Sequence, residues 1–94
     1  DSLGWVYYKV GKYERAVKEL DRAVELLPAG PIINDHLGDA FWRVGRYREA
    51  KFQWQRVLGL NPKPELEVQI KNKLKVGLKD AAQAKAKAKA ANGG

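Results

Sequence analysis

Apolar residues between positions 31 and 62 follow the pattern of two successive helices. The first stripe advances by four, three, one and three residues, which fits one face of a helix; its members are Ile33, Leu37, Ala40, Phe41 and Val44. Gly45 and Arg46 interrupt it, and a second stripe follows at Tyr47, Ala50, Trp54, Val57, Leu58 and Leu60. Asn61-Pro62 ends this stripe, because proline cannot continue a helix and disfavours helix at the residue before it. The pattern predicts a helix–turn–helix unit.

The same pattern occurs earlier in the chain, at a shift of 34 residues. Aligning residues 1–28 with residues 35–62 gives identical residues at 10 of 28 positions, from Asp1/Asp35 to Pro28/Pro62. A fixed period of this length is typical of repeat architectures. The first unit therefore predicts its own helix pair, joined at Gly11-Lys12 and ended by Pro28.

Small residues recur at equivalent places in both units. Gly4 and Gly38 lie on the first helix of each unit, and Ala16 and Ala50 lie on the second. A glycine inside a helix costs about 1 kcal/mol relative to alanine. We therefore expect the paired helices to approach closely at these residues, so that the contact offsets the cost.

A fifth helix is predicted after the second unit. Pro64 and Glu65 suit a helix start, and a single apolar stripe follows at Leu66, Ile70, Leu74 and Leu78. This pattern suits a helix with one face on the repeats and the other in water. Its predicted solvent side comprises Glu65, Glu67, Gln69, Lys71, Asn72, Lys73 and Lys75. Beyond it, residues 80–94 contain no side chain suited to a core, which predicts a frayed or disordered tail.

Nine positions at fixed spacing occur in both units and resemble the tetratricopeptide repeat. In the first unit they are Leu3-Gly4, Tyr7, Gly11, Tyr13, Ala16, Leu20, Ala23 and Pro28; in the second they are Leu37-Gly38, Phe41, Gly45, Tyr47, Ala50, Trp54, Val57 and Pro62. The resemblance implies an all-α fold of five helices, with antiparallel pairs stacked as a right-handed α-solenoid. It divides the chain into a first repeat (1–28), a second repeat (29–62), a capping helix (63–79) and an Ala/Lys-rich tail (80–94). The stretch LGDAFWRVGRYREAKFQW looks like bacterial members of the family, which are expected in the cytoplasm or at the cell envelope.

The repeat register places Asp1 about four residues into a first helix, and the sequence contains no methionine. We therefore expect a piece of a longer repeat array whose first unit lacks its start. The missing start of the first unit would leave Leu3, Val6 and Tyr7 uncovered, which predicts self-association through this face.

Charge is divided unevenly along the chain. The net charge is +7. Residues 1–70 hold 11 Lys and Arg against 10 Asp and Glu, whereas residues 71–94 hold seven lysines against Asp80. The body is therefore nearly neutral. The basic end predicts, as an alternative function, non-specific and salt-sensitive attachment to nucleic acid or an anionic membrane surface; a solubilising tail is the simpler interpretation.

Enzyme chemistry has little support. Cysteine is absent, and Ser2 and His36 are the only serine and histidine. His36 with Asp35 or Asp39 is a weak metal-binding set, and the glycines do not form a phosphate loop. No signal peptide and no membrane-spanning apolar run is present. We predict a non-enzymatic protein that needs no cofactor and no metal.

The resemblance implies a concave groove lined by the first helix of each unit. The residues of these helices outside the core stripes are candidates for binding a peptide or partner helix: Asp1, Trp5, Tyr8, Lys9, Asp35, Asp39, Trp42 and Arg43. Aromatic, arginine and aspartate side chains together are typical of binding hot spots. Lys9 and Arg43 could pair with acidic groups, and Asp35 and Asp39 with basic ones. In the alternative interpretation the aromatic residues pack between the repeats and the aspartates are ordinary solvated charges.

Overall fold

The computed structural model describes residues 3–78, which form five helices and no strand. In chain order they are α1 (Leu3–Lys9), α2 (Tyr13–Leu26), α3 (Pro31–Arg43), α4 (Tyr47–Leu58) and α5 (Pro64–Val76). Successive helices pack against one another along the chain. The all-α fold of paired helices expected from the sequence is confirmed. Asp1 and the predicted tail lie outside the described residues.

The turns inside the two units have the same geometry. Gly11 and Gly45 adopt φ values of 83° and 84°, in the left-handed region that side chains rarely adopt. In each turn the residue after the glycine donates a backbone hydrogen bond to the preceding helix, from Lys12 to Tyr7 and from Arg46 to Phe41, at 2.9 Å in both cases. Glycine is therefore required at these positions by the backbone itself.

The predicted close approach at Gly4 and Gly38 is present in both units. A methyl group built at Gly4 would lie 2.6 Å from Cγ of Leu20, and one built at Gly38 would lie 2.5 Å from Nε1 of Trp54. Leu20 and Trp54 occupy equivalent positions one repeat apart and are fully buried. Each large core side chain therefore lies directly over the glycine of its partner helix.

The core lies between the helix pairs. Its buried apolar residues are Ala16, Val17, Leu20, Leu37, Ala40, Phe41, Ala50, Trp54, Val57 and Ile70. Burial of apolar surface of this kind is the main favourable term in folding. Asn34 is also fully buried, and its Nδ2 donates hydrogen bonds to the carbonyl oxygens of Pro28 (3.1 Å) and Gly30 (2.8 Å). This amide thus fixes the loop that joins the two repeats.

Helix α5 closes the core, but it is shorter than the predicted 63–79 segment. Ile70 is fully buried, and Leu66, Leu74 and Leu78 pack against the core as the apolar stripe predicted. The helix ends because Gly77 adopts a φ of 72° and lies against the indole ring of Trp42, where any Cβ atom would clash. The chain is thereby directed away from the helix axis, and Leu78 packs against the core.

Candidate interaction groove

An aromatic column joins the two repeats on the side formed by α1 and α3. The ring of Trp5 stacks on Tyr8 with centroids 4.5 Å apart, and it stacks on His36 of the next repeat at 3.7 Å. The rings of both pairs are nearly parallel. Tyr13 contacts Tyr8 edge-on, with ring centroids 5.3 Å apart. The column continues from one repeat into the other, but both faces of Trp5 are already occupied by other rings.

Arg43 makes a second link between the repeats. Its Nε donates a hydrogen bond to the hydroxyl oxygen of Tyr8 at 3.1 Å. Burial raises the pKa of the Tyr8 hydroxyl, and the hydrogen bond from Arg43 opposes this change. Two of the predicted groove residues, 35 positions apart in sequence, are therefore held in contact.

Asp35 and Asp39 occupy a different environment from the one expected. They are only 7% and 6% exposed, and both accept hydrogen bonds from Nζ of Lys73 on α5. The distances are 2.8 Å to Asp35 and 3.0 Å to Asp39. Asp39 also accepts a hydrogen bond from the buried indole N–H of Trp54 at 3.2 Å. The interpretation of these aspartates as solvated charges is therefore wrong, and so is the placement of Lys73 on the solvent side of its helix.

Three charges share this buried cluster, and two of them are negative. The pKa of Asp39 is raised to about 6: burial is the main cause and the neighbouring Asp35 adds to it, while Lys73 and the hydrogen bond from Trp54 oppose the change. Burial alone would lower the pKa of Lys73, but the two carboxylates outweigh that effect and leave the pKa above its ordinary value. The lysine is thus held charged between the two acids.

Trp42 is partly buried and packs against the core. Its ring contacts Tyr47 at 4.3 Å and Trp54 at 5.6 Å, and the backbone of Gly77 lies against it. Lys9, by contrast, is exposed. The predicted groove residues are therefore unequal: the structure holds Trp42 in a packed cluster, leaves Lys9 in solvent, and does not describe Asp1.

A shallow depression of about 340 Å³ lies at the start of α3, next to the aromatic column. We call it the end depression; it is lined by Trp5, Leu27, Gly30, Pro31, Ile32, Ile33 and His36. Ile32 is 62% exposed and Leu27 is 66% exposed, although both are aliphatic. The repeat pattern did not predict this site; the signal for it in the sequence was the run of apolar residues on both sides of the loop, in Leu26-Leu27 and Ile32-Ile33.

His36 lies where the end depression meets the column. Burial lowers the pKa of its imidazole, the nearby Asp35 opposes this change, and the positive charges of Lys73 and Lys9 lower the pKa further. The ring is therefore neutral at pH 7 and stacks as an aromatic group. It is a partly exposed residue of α3.

Within residues 3–78, no group of three or more His, Asp or Glu side chains is placed to hold a metal ion. In the same range, no helix combines the length and the apolar character needed to cross a membrane.

Comparison with known proteins supports the repeat architecture. A family model described as the TPR (tetratricopeptide) repeat matches residues 4–45, which include α1, α2 and α3. No curated protein and no solved structure matches the chain significantly. The matched range contains the first helix pair and the first helix of the second, with both left-handed glycine turns. Residues 4–45 are therefore similar to the tetratricopeptide repeat, and the paired helices of the fold agree with this similarity.

Proposed function

We propose that this protein is an interaction module that binds a peptide segment or a partner helix along the face formed by α1 and α3. Tetratricopeptide repeats generally mediate protein–protein interaction and typically act as non-enzymatic scaffolds. The observation that carries the proposal is that the surface is continuous between the repeats. Trp5 stacks on His36, and Arg43 donates a hydrogen bond to Tyr8.

This surface has the composition and the rigidity that favour binding. Tryptophan, tyrosine and arginine are the residues most often found at binding hot spots. Because the rings are stacked before any partner arrives, less conformational entropy is lost when one binds. The column would present ring edges and the hydroxyl of Tyr8 to a partner, rather than the ring faces of Trp5.

The groove candidates divide into contact and supporting residues. Tyr8, Lys9 and Arg43 are proposed to contact the partner directly. Asp35 and Asp39 are proposed to support the groove wall, since their carboxylates already bind Lys73. Trp42 belongs with these supporting residues because it packs against the end of α5.

The test is capture of partners with the full chain and a groove variant, Lys9→Ala/Arg43→Ala. Its matched control is Arg48→Ala/Lys51→Ala, which removes two exposed positive charges from α4. The expected result is that the groove variant loses a partner that the control retains. Retention of every partner by the groove variant would contradict the proposal, provided that circular dichroism shows both variants folded.

A second function is proposed for the basic end of the chain, on the basis of its composition. Residues 79–94 hold four lysines against one acid; they lie outside the described residues. Deleting them should abolish low-salt binding to nucleic acid or to vesicles of anionic lipid, while partner capture by the groove continues. Unchanged low-salt binding after the deletion would reject this function.

Self-association through α1 is supported by a comparison of equivalent positions. Leu3 and Val6 are 54% and 51% exposed, whereas their counterparts Leu37 and Ala40 are 1% and 0% exposed because α2 and α4 pack around α3. A second copy of the chain is proposed to cover this stripe. Light scattering should show a dimer for the parent protein and a monomer for Val6→Glu. A parent protein that is monomeric at high concentration would exclude the dimer.

A further inference from the structure

We propose that the groove selects an extended peptide carrying an apolar side chain and an acidic side chain separated by one residue. The apolar side chain enters the end depression, and the acidic one meets Lys9. This inference rests on the proposed function, since it names the class of partner for the same face.

Charge on this face favours an acidic partner. Sequence alone indicated two aspartates available to basic groups, but Asp35 and Asp39 are buried and bound to Lys73. Lys9 is exposed and forms no ion pair within residues 3–78. The charge offered to solvent beside the column is therefore positive, which attracts a carboxylate and disfavours a basic peptide.

Shape supplies the apolar half of the motif. The end depression has a volume of about 340 Å³, at the lower end of the range for ligand sites, and its lining is mainly aliphatic and aromatic. A volume of this size suits one large side chain, such as leucine, rather than a whole helix. Binding would cover Ile32 and Leu27, which are otherwise well exposed aliphatic side chains.

The spacing of the two half-sites sets the spacing in the peptide. Trp5 lines the end depression and Lys9 follows one turn later on the same helix, about 6 Å along its axis. An extended peptide advances about 3.3 Å per residue, and its alternate side chains point to the same side. Two side chains separated by one residue therefore match the two half-sites. The charge of Lys9 also acts on the His36 ring in the depression, which indicates that the half-sites are close.

The experiment is an NMR titration of the full ¹⁵N-labelled chain with end-blocked synthetic peptides. The probe is Ala-Leu-Ala-Glu-Ala; its matched controls carry lysine in place of glutamate, or alanine in place of leucine. A peptide with the reversed order, Ala-Glu-Ala-Leu-Ala, determines the direction of binding. The probe or its reversed form should shift the indole N–H signal of Trp5 and the amide signals of Ile32 and Lys9. Both control peptides should bind more weakly, by up to about fivefold for the charge change.

A charge exchange at Lys9 tests the pairing directly. Lys9→Glu should prefer the lysine peptide to the glutamate peptide, whereas Lys51→Glu, on α4, should keep the original preference. Absence of shifts at these signals, equal affinity for the two peptides, or an unchanged preference in Lys9→Glu would each overturn the inference. The proposed function is tested separately from this inference: it fails if the Lys9→Ala/Arg43→Ala variant captures the same partners as the parent protein.

Discussion

The buried cluster of Asp35, Asp39 and Lys73 should contribute more to the stability of this protein in mild acid than at neutral pH. The pKa of Asp39 is raised from 3.8 to about 6 in the folded chain. Between these two values the folded state binds more protons than the unfolded state, so the free energy of unfolding rises as the pH falls. The stabilisation is present below about pH 6 and is lost as the pH rises through that value.

The size of the effect follows from the two pKa values. For one group with these values, protonation linkage makes the free energy of unfolding about 1 kcal/mol greater at pH 5 than at pH 7. For a domain of this size, 1 kcal/mol corresponds to a change in melting temperature of about 4–8 °C. His36 acts in the opposite direction, because its pKa is lowered on folding and its protonation in acid favours the unfolded chain.

Asp39→Asn separates these contributions. Asparagine keeps an acceptor oxygen for Trp54 and for Lys73 but cannot take up the proton. The charges that act on His36 are those of Asp35, Lys73 and Lys9, so the histidine contribution should cancel between the parent protein and the variant. The predicted quantity is the melting temperature of the parent minus that of the variant. This difference should increase by about 4–8 °C when the pH falls from 7 to 5.

Thermal unfolding followed by far-UV circular dichroism at several pH values measures this difference. Asp21→Asn, which changes an exposed carboxylate on α2, is the control and should show no such shift. A parent-minus-variant difference that stays constant from pH 5 to pH 7 would refute the reasoning. So would a shift of the opposite sign, since that would mean that the pKa of Asp39 is lowered on folding.

Three further results are expected. Gly38→Ala should lower the free energy of unfolding, measured in urea, by about 1–3 kcal/mol, because the added methyl group meets Trp54. The control Gly59→Ala, at a helix end with ordinary space, should be neutral or stabilising. Equal effects of the two substitutions would refute the steric argument. Lys73→Ala leaves two buried carboxylates without their cation and should cost about 3–5 kcal/mol at pH 7, with a smaller loss at pH 5; a loss that did not vary with pH would contradict it. Deletion of residues 79–94 should leave the melting temperature within a few degrees of the parent value, and a large decrease would show that the core extends into that segment.

The repeats could be predicted from the sequence because their causes are local and periodic. Apolar spacing, the turn glycines and the proline stops depend on neighbouring residues, and a second copy of the same pattern confirms each of them. The close contacts at Gly4 and Gly38 could also be anticipated. Glycine destabilises a helix, so its presence at equivalent helix positions in both repeats indicates a side chain packed against it. The partner side chains, Leu20 and Trp54, were already among the repeated positions.

The electrostatics of the groove could not be predicted in the same way, because they depend on a contact between distant helices. Asp39 and Lys73 are 34 residues apart, the same interval that relates the two repeats. Continuing the repeat register beyond Pro62 would have placed Lys73 at the position equivalent to Asp39 and Trp5. The pattern of α5, taken alone, indicated only a solvated lysine, because a helical stripe does not reveal which polar residues meet a neighbouring acid.

Helix α5 is therefore part of the candidate groove as well as the cover of the core. It supplies the cation that neutralises the two aspartates, and its final glycine lies against Trp42. One of the seven lysines in the basic segment 71–94 consequently belongs to the buried cluster. A truncation that ended at Pro62 would remove Lys73 together with the rest of α5 and the tail. A loss of binding could then result from exposed carboxylates, from a disrupted groove or from the missing tail. A truncation that ends at Leu78 keeps the cluster intact, so only this version can separate tail binding from groove binding.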